Sequence, residues 1–328
     1  MRYSILPFLL FFVMQALAQD CSKALLAKKP GNWKAGQQGS IKNVNTANLV
    51  KEKSVLAAVQ KMISTNYSPA GCQVDYSTVF GKYTNAGENW IADPYHLAMY
   101  ILRFVCDVKS KDKSGYSVDI STPTTVTITA NVIFSLNNLY ASILPADDMR
   151  GYLKLKQKPV KKDGAWYMGD EVVGDYGTSS EIKEYRWLVT YKDSLPFYYV
   201  SRKEYLLIQK KRLEKDLADN PGEKDYTNKF IKNVNEYLKR SEADLAQPAI
   251  CMWNEEERFE RFVDEGTRGS FIAVKPNMNY YNKKLPASSP QYFTVVYKVS
   301  KGDPVFIDNI EAIKKAVDLT ALSNMLGK

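Results

Sequence analysis

Histidine is almost missing from this chain of 328 residues, which contains only His96. Histidine-rich metal sites are therefore excluded by count, and the spacing of the carboxylates does not match a calcium-binding loop. The signatures of phosphate-binding loops, dinucleotide-binding folds and zinc hydrolases are absent, as is the GxSxG turn of serine hydrolases. The sequence predicts neither a cofactor nor a metal.

His96 is the one side chain that could support imidazole chemistry, and Asp93 lies three residues before it. A neighbouring carboxylate would make the ring more basic, which suits a general base. A catalytic site of this kind also needs a nucleophile, for which the chain has no motif. We therefore expect His96 to pack near a loop, and we identify no catalytic residue.

Cysteine is also scarce, and none of the four residues has CxxC spacing, which argues against a thiol-redox or zinc-ribbon motif. Four cysteines allow three disulfide connectivities. Cys21 and Cys72 both lie beside polar, turn-rich sequence, so we predict a Cys21–Cys72 disulfide that ties the mature N-terminus to the body. Cys106 lies in an apolar run and is a candidate for a buried thiol.

One apolar run stands out near the start of the chain, at residues 5–14. Arg2 precedes it and Ala16-Leu17-Ala18 follows it, which is the pattern of a secretory signal cleaved after Ala18. The run is shorter than the roughly 20 residues of a membrane-spanning helix, although an uncleaved anchor is the alternative. We expect an exported protein, periplasmic or at the outer surface, with no transmembrane segment after cleavage.

The formal net charge is +9, and the basic residues are scattered apart from small concentrations at 154–162 and 210–215. Nucleic-acid binding would require a continuous basic stripe, so we predict no nucleic-acid partner. Weak attraction to anionic lipids or acidic polysaccharides fits the charge, and so does plain solubility. The chain contains 22 tyrosines. In some exported proteins, tyrosines contact carbohydrate or peptide, but more often they are core or edge residues with the hydroxyl at the surface.

The hydrophobic periodicity predicts an α+β fold: an antiparallel sheet with a helix packed on it, followed by an α-helical hairpin and further short strands. A helix is predicted over 48–65, a hairpin of helices over 201–247, and a final helix over 308–317. The predicted strands are 126–134, 153–158, 165–168, 184–192, 271–274 and 293–299. In residues 97–106, both the odd and the even positions are apolar, so periodicity does not distinguish a strand from a helix. We expect a helix at the start of this segment and a strand at its end.

The predicted organisation begins with a signal peptide over 1–18 and an extended lead-in over 19–46. An α+β lobe follows over 47–200, and the remainder, 201–328, carries the α-hairpin with C-terminal strands and helix. This last part could be continuous with the lobe. Ser201 and Glu204 have the spacing of a capping box that opens the first hairpin helix.

Carboxylates next to a tryptophan provide the one pattern that would suit an enzyme. Trp253 precedes Glu255–Glu257, and Asp264 and Glu265 follow. Glycoside hydrolysis requires a pair of carboxylates, and tryptophan can hold a sugar ring. The same segment also fits a plain amphipathic turn or helix, with its aromatic residues facing inward.

Two segments carry a resemblance to known proteins. They are residues 195–206, LPFYYVSRKEYL, and residues 280–293, YYNKKLPASSPQYF. Together with the signal that ends in Ala-Gln, they resemble a set of exported proteins from Bacteroidota to which no activity is assigned. The resemblance implies a periplasmic or outer-surface location and transfers no functional residue.

The same segments suggest a binding cleft at the start of the predicted hairpin, where a helix N-terminus presents amides to an anion. Its residues are Tyr199, Arg202 and Tyr205 at the strand-to-helix transition, and Asn282, Lys283 and Lys284 before a proline-braced loop that could lie across it. Such a cleft would hold an acidic or sugar-like ligand. Alternatively, these residues lock two parts of the fold together.

The function predicted from the sequence is non-enzymatic binding by an exported, envelope-associated protein. A glycan, an acidic ligand or an envelope protein would be the partner. One alternative is a carboxylate-based hydrolase that acts on glycans or peptides. Another is a helical-hairpin adaptor of an envelope protein complex, which would leave a large apolar patch exposed.

Overall fold

The computed structural model of the protein describes residues 21–81, 92–107, 109, 115–132, 152–175, 181–191, 193–252 and 258–328. The predicted signal peptide therefore lies outside the described residues. Among the described residues, no helix combines the length and the apolar character that a membrane crossing requires.

The fold is α+β, as predicted, and a ten-stranded, mostly antiparallel sheet is its main element. Its strand order is β1-β3-β4-β6-β14-β10-β9-β8, with β2 beside β3 and β5 beside β4. The strands are β1 (Asn32–Ala35), β2 (Ile41–Lys42), β3 (Cys72–Gly81), β4 (Tyr95–Cys106), β5 (Tyr116–Val118), β6 (Thr125–Ala130), β8 (Val160–Lys162), β9 (Ala165–Asp175), β10 (Glu181–Thr190) and β14 (Tyr292–Ser300). Strand β14 belongs to the C-terminal part of the chain and lies between β6 and β10, so residues 201–328 complete the sheet of the preceding lobe.

Helices cover one face of this sheet, and their apolar sides explain why they pack there. They are α1 (Lys23–Lys28), α2 (Thr46–Asn66), α6 (Pro304–Ala316) and α7 (Leu319–Met325). Leu56, Val59 and Ile63 of α2 recur at helical spacing and are buried against Ile128 and Ile310. The predicted helices over 48–65 and 308–317 are both confirmed.

A second, smaller sheet supports the helical hairpin. Strands β7 (Leu153–Leu155), β11 (Phe197–Tyr199) and β12 (Ile250–Met252) all pair antiparallel with β13 (Ser270–Pro276). The hairpin consists of α3 (Arg202–Asp219), a 3₁₀ turn (Pro221–Glu223) and α4 (Lys224–Tyr237), with the short α5 (Glu242–Leu245) after it. Its apolar side chains form a common cluster with Phe271 and Ala273 of β13.

Four local predictions need correction. Residues 97–106 form a strand throughout, because β4 is buried between β3 and β6 and shows no alternation of polarity. The lead-in is not wholly extended, since α1 buries Leu26. The strand predicted over 153–158 is shorter and belongs to the small sheet as Leu153–Leu155, whereas β9 forms a hairpin with β8 through Asp163 and Gly164. Only half of the capping box forms: Ser201 accepts a hydrogen bond from the Glu204 amide at 3.1 Å, but the Glu204 carboxylate binds Lys275 instead.

The predicted Cys21–Cys72 disulfide is wrong. Cys21 bonds to Cys106 at the end of β4, with a Cα–Cα distance of 5.7 Å, and Cys72 is a buried thiol. The prediction failed because Cys106 was expected to be buried. Its side chain instead lies at the exposed end of β4, where it can reach the N-terminal segment.

Candidate functional site

Arg202 has its partners within the helical part of the molecule. Its guanidinium forms an ion pair with Asp244 of α5 and lies 5.0 Å from the centre of the Phe262 ring. Its amide donates to the Gln247 carbonyl at 2.8 Å. These contacts fasten the start of α3 to α5, which agrees with the alternative that Arg202 has a structural role.

Tyr199 and Tyr205 lie on either side of Arg202 in different environments. Tyr199 is half-buried on β11, opposite Val274. Tyr205 is 2% exposed and packs against the rings of Tyr152 and Phe259, with centroids 4.9 and 5.5 Å away. A ligand could reach Tyr205 only by displacing this aromatic cluster.

Asn282, Lys283 and Lys284 are exposed, and their loop is held to the large sheet. The Gln291 side chain accepts from the Asn282 amide at 2.8 Å and donates to its carbonyl at 3.2 Å. Within the described residues, no hydrogen bond, ion pair or ring contact joins this group to Tyr199, Arg202 or Tyr205. The binding role of the predicted cleft remains a prediction, and the two halves have separate partners.

His96 is 6% exposed, and burial lowers its pKa from 6.5 to about 4. It alternates with Tyr95 and Leu97, which belong to the main core, so its ring lies on the sheet face opposite the helices. Asp93 accepts a hydrogen bond from Asn48 of α2 at 3.0 Å, and none joins it to His96 in the described residues. The imidazole is neutral at physiological pH.

Of the carboxylates considered for hydrolysis, Asp264 and Glu265 lie among the described residues. Trp253 and Glu255–Glu257 lie outside the described residues. Asp264 is exposed, and Glu265 forms an ion pair with Lys158 at 2.7 Å.

A different group of residues comes together on the helix side of the sheet, beside α6. Strand β9 carries a bulge there: Arg186 pairs with Gly169, but Trp187 pairs with Tyr167, so Met168 is the extra residue. Gly169 has φ +106°, and a Cβ at this position would lie 2.7 Å from the Gln157 side chain.

The bulge changes which side chains of β9 face the helices. Asp170 lies opposite Tyr185, Tyr167 lies opposite Trp187, and the Tyr167 hydroxyl donates to Asp170 at 2.7 Å. The rings of Tyr167 and Trp187 are 5.0 Å apart. Tyr185 and Trp187 are two residues apart on β10 and share this face, so the three half-buried aromatic side chains form a platform on one side of the sheet.

Four lysines surround these rings. Three ammonium groups lie near the centre of the Tyr185 ring, at 5.4 Å for Lys183, 5.3 Å for Lys301 and 4.1 Å for Lys314. The fourth, Lys162 of β8, lies 5.9 Å from the Trp187 ring. We call this region the aromatic–lysine surface; it comprises Tyr167, Tyr185, Trp187, Lys162, Lys183, Lys301 and Lys314, with Asp170 among them.

Charge on the aromatic–lysine surface is only partly balanced. Lys183 pairs with Asp170 at 2.5 Å, and Lys314 pairs with Glu311 at 2.8 Å. Hydrogen bonds from Lys183 and then Tyr167 hold the pKa of Asp170 below its ordinary value, so this carboxyl is ionised in neutral solution. In the part of the chain that the structure describes, Lys162 and Lys301 have ring contacts but form no ion pair, and the charge of Lys301 also acts on Asp170 from a longer distance.

The strand predicted over 184–192 includes Tyr185 and Trp187, but the sequence did not predict this surface. Asp170 lies within β9, two residues beyond the predicted strand 165–168. The lysines are far apart in the sequence: they lie on β8, on β10, directly after β14 and on α6, which the fold brings together. The available signal was Gly169 inside an otherwise regular strand, because an isolated glycine in a strand suggests a bulge.

Comparison with protein-family models, with curated proteins and with solved structures finds no match for this chain.

Proposed function

We propose that the protein is an exported, non-enzymatic binding protein that holds an anionic ligand on its aromatic–lysine surface. The observation that carries the proposal is the convergence of Lys183, Lys301 and Lys314 on the Tyr185 ring, with Lys162 on the adjoining Trp187. Ammonium groups brought this close repel one another, and a bound anion would relieve that repulsion.

Export supports this choice of ligand. The signal sequence predicted at 1–18 would direct the chain to the envelope, and the Cys21–Cys106 disulfide suits an oxidising compartment. Acidic glycans, acidic lipids and envelope proteins are the anionic partners expected there. The half-buried rings add an apolar platform that a small inorganic ion would not need.

Thermal unfolding in the presence of anionic probes tests the proposal, because a ligand that binds only the folded state raises Tm. Polygalacturonate, heparin and polyphosphate would be compared with neutral dextran. We expect at least one polyanion to raise Tm and dextran to leave it unchanged.

The double variant Lys301→Gln/Lys314→Gln should abolish the increase in Tm. Its matched control is Lys210→Gln/Lys215→Gln, which removes the same charge from α3, where both lysines form i,i+4 pairs. Loss of the increase in both variants would mean that net charge alone attracts the probe. No increase with any polyanion would refute the proposal.

A further inference from the structure

The aromatic–lysine surface has two separate positions for negative charge. At Tyr185, Asp170 and Glu311 form ion pairs with two of the three lysines, and Lys301 forms none. At Trp187, Lys162 forms no ion pair among the described residues. One ammonium group without an ion pair therefore lies at each ring.

The two positions follow one another along β10. Tyr185 and Trp187 are separated by two residues on this strand, which corresponds to roughly 7 Å. A charge-assisted hydrogen bond between ammonium and oxygen spans about 2.7–2.9 Å. A ligand with two anionic groups at a separation similar to that of the two rings can therefore pair with one lysine at each ring.

The surface between these positions suits sugar rings. The exposed parts of the half-buried Tyr185, Trp187 and Tyr167 side chains can contact the apolar face of a pyranose ring, and Asp170 can accept hydrogen bonds from sugar hydroxyls. We infer that the ligand is an acidic oligosaccharide, such as a chain of uronic acids, that lies across β10 and β9 with consecutive acidic units at Tyr185 and Trp187. This inference rests on the proposed function.

A single-stranded nucleic acid also combines rings with regularly spaced charge. The observations favour the glycan because the Asp170 carboxylate lies within the platform, where it can accept hydrogen bonds from the hydroxyl groups that each sugar unit presents. The predicted export of the chain also favours a glycan. The test below includes an oligonucleotide for this reason.

The experiment is calorimetric titration of the mature protein with galacturonic acid and its linear oligomers of two to six units. We expect the tetramer to bind about tenfold or more tightly than the monomer, since the second acidic group engages a site already nearby. The methyl-esterified tetramer, which keeps the rings and loses the charges, should bind at least about tenfold more weakly.

Two charge variants locate the two positions. Lys162→Gln and Lys301→Gln should each remove most of the advantage of the tetramer over the monomer, whereas Lys210→Gln on α3 should leave both affinities unchanged. Equal affinity of monomer and tetramer would overturn the two-position arrangement. Tighter binding of an oligonucleotide of equal charge would overturn the glycan assignment.

Failure of this inference differs from failure of the proposed function. If polyphosphate or heparin binds in a Lys301-dependent manner but no galacturonate oligomer does, the surface binds anions and its ligand is not a uronic acid chain. If no anion binds, the proposed function fails as well.

Discussion

Acidification should destabilise this protein through its single histidine. Between the unfolded pKa of 6.5 and the folded pKa of about 4, the unfolded chain takes up a proton that buried His96 does not. The free energy of unfolding must therefore fall as the pH falls through this window. Because one pKa unit corresponds to about 1.4 kcal/mol, the complete loss amounts to about 3 kcal/mol.

The surroundings of His96 support this sign. Its cross-strand neighbours, Val79 and Thr129, are uncharged, and burial is the cause of the lowered pKa. No neighbouring carboxylate on β3 or β6 offsets the cost of burying the imidazolium at these two positions.

Urea unfolding from pH 7.5 to pH 4 measures the effect when the wild type is compared with His96→Gln. Carboxylates that titrate in the same range are present in both proteins, so their contribution cancels in the difference. We expect the variant to lose less stability over this range, by about 3 kcal/mol. Identical pH dependence in both proteins would refute the reasoning.

Three further predictions concern stability and reactivity. Replacing Cys106 by Ser removes the disulfide to Cys21, which is 85 residues away. The free energy of unfolding measured in urea should fall by up to about 4 kcal/mol. An unchanged free energy of unfolding would mean that the disulfide does not restrict the unfolded chain. Ser201→Ala removes the cap of α3 and should cost about 1 kcal/mol, and an unchanged Tm would contradict the role of that hydrogen bond. The thiols of Cys72 and Cys251 are buried, and burial raises the pKa of Cys72 to about 11 and that of Cys251 to about 12. Both thiols should therefore resist a thiol reagent at pH 8 until denaturant is added. Rapid labelling of the native protein would contradict this prediction.

Strong periodicity made much of the fold predictable. The α2 helix and the alternating strand β14 are confirmed because one apolar face of each packs against a single core. The turn between β8 and β9 follows from its two residues, because Asp163 and Gly164 both adopt positive φ, as a tight two-residue turn requires.

The remainder depends on long-range pairing that local sequence does not encode. The sequence of strand β4 fits a helix as well as a strand, because both faces of the strand are covered and its residues show no alternation of polarity. The disulfide partner of Cys21 depends on where β4 ends. The aromatic–lysine surface depends on a bulge at Gly169 and on β14 lying next to β10. A β-bulge shifts the facing of every later residue in the strand, so Asp170 faces the helices together with Tyr167 although three residues separate them.

The position of the ligand is the central claim, and lysine footprinting tests it most directly. The mature protein would be acetylated briefly with and without a polyanion that raises its Tm, and each lysine would be quantified by mass spectrometry. We predict that Lys162 and Lys301 are protected severalfold and that Lys210 and Lys215 on α3 react unchanged. Protection of Lys283 and Lys284 instead, with Lys162 and Lys301 fully reactive, would contradict the account and place the ligand at the cleft predicted from sequence.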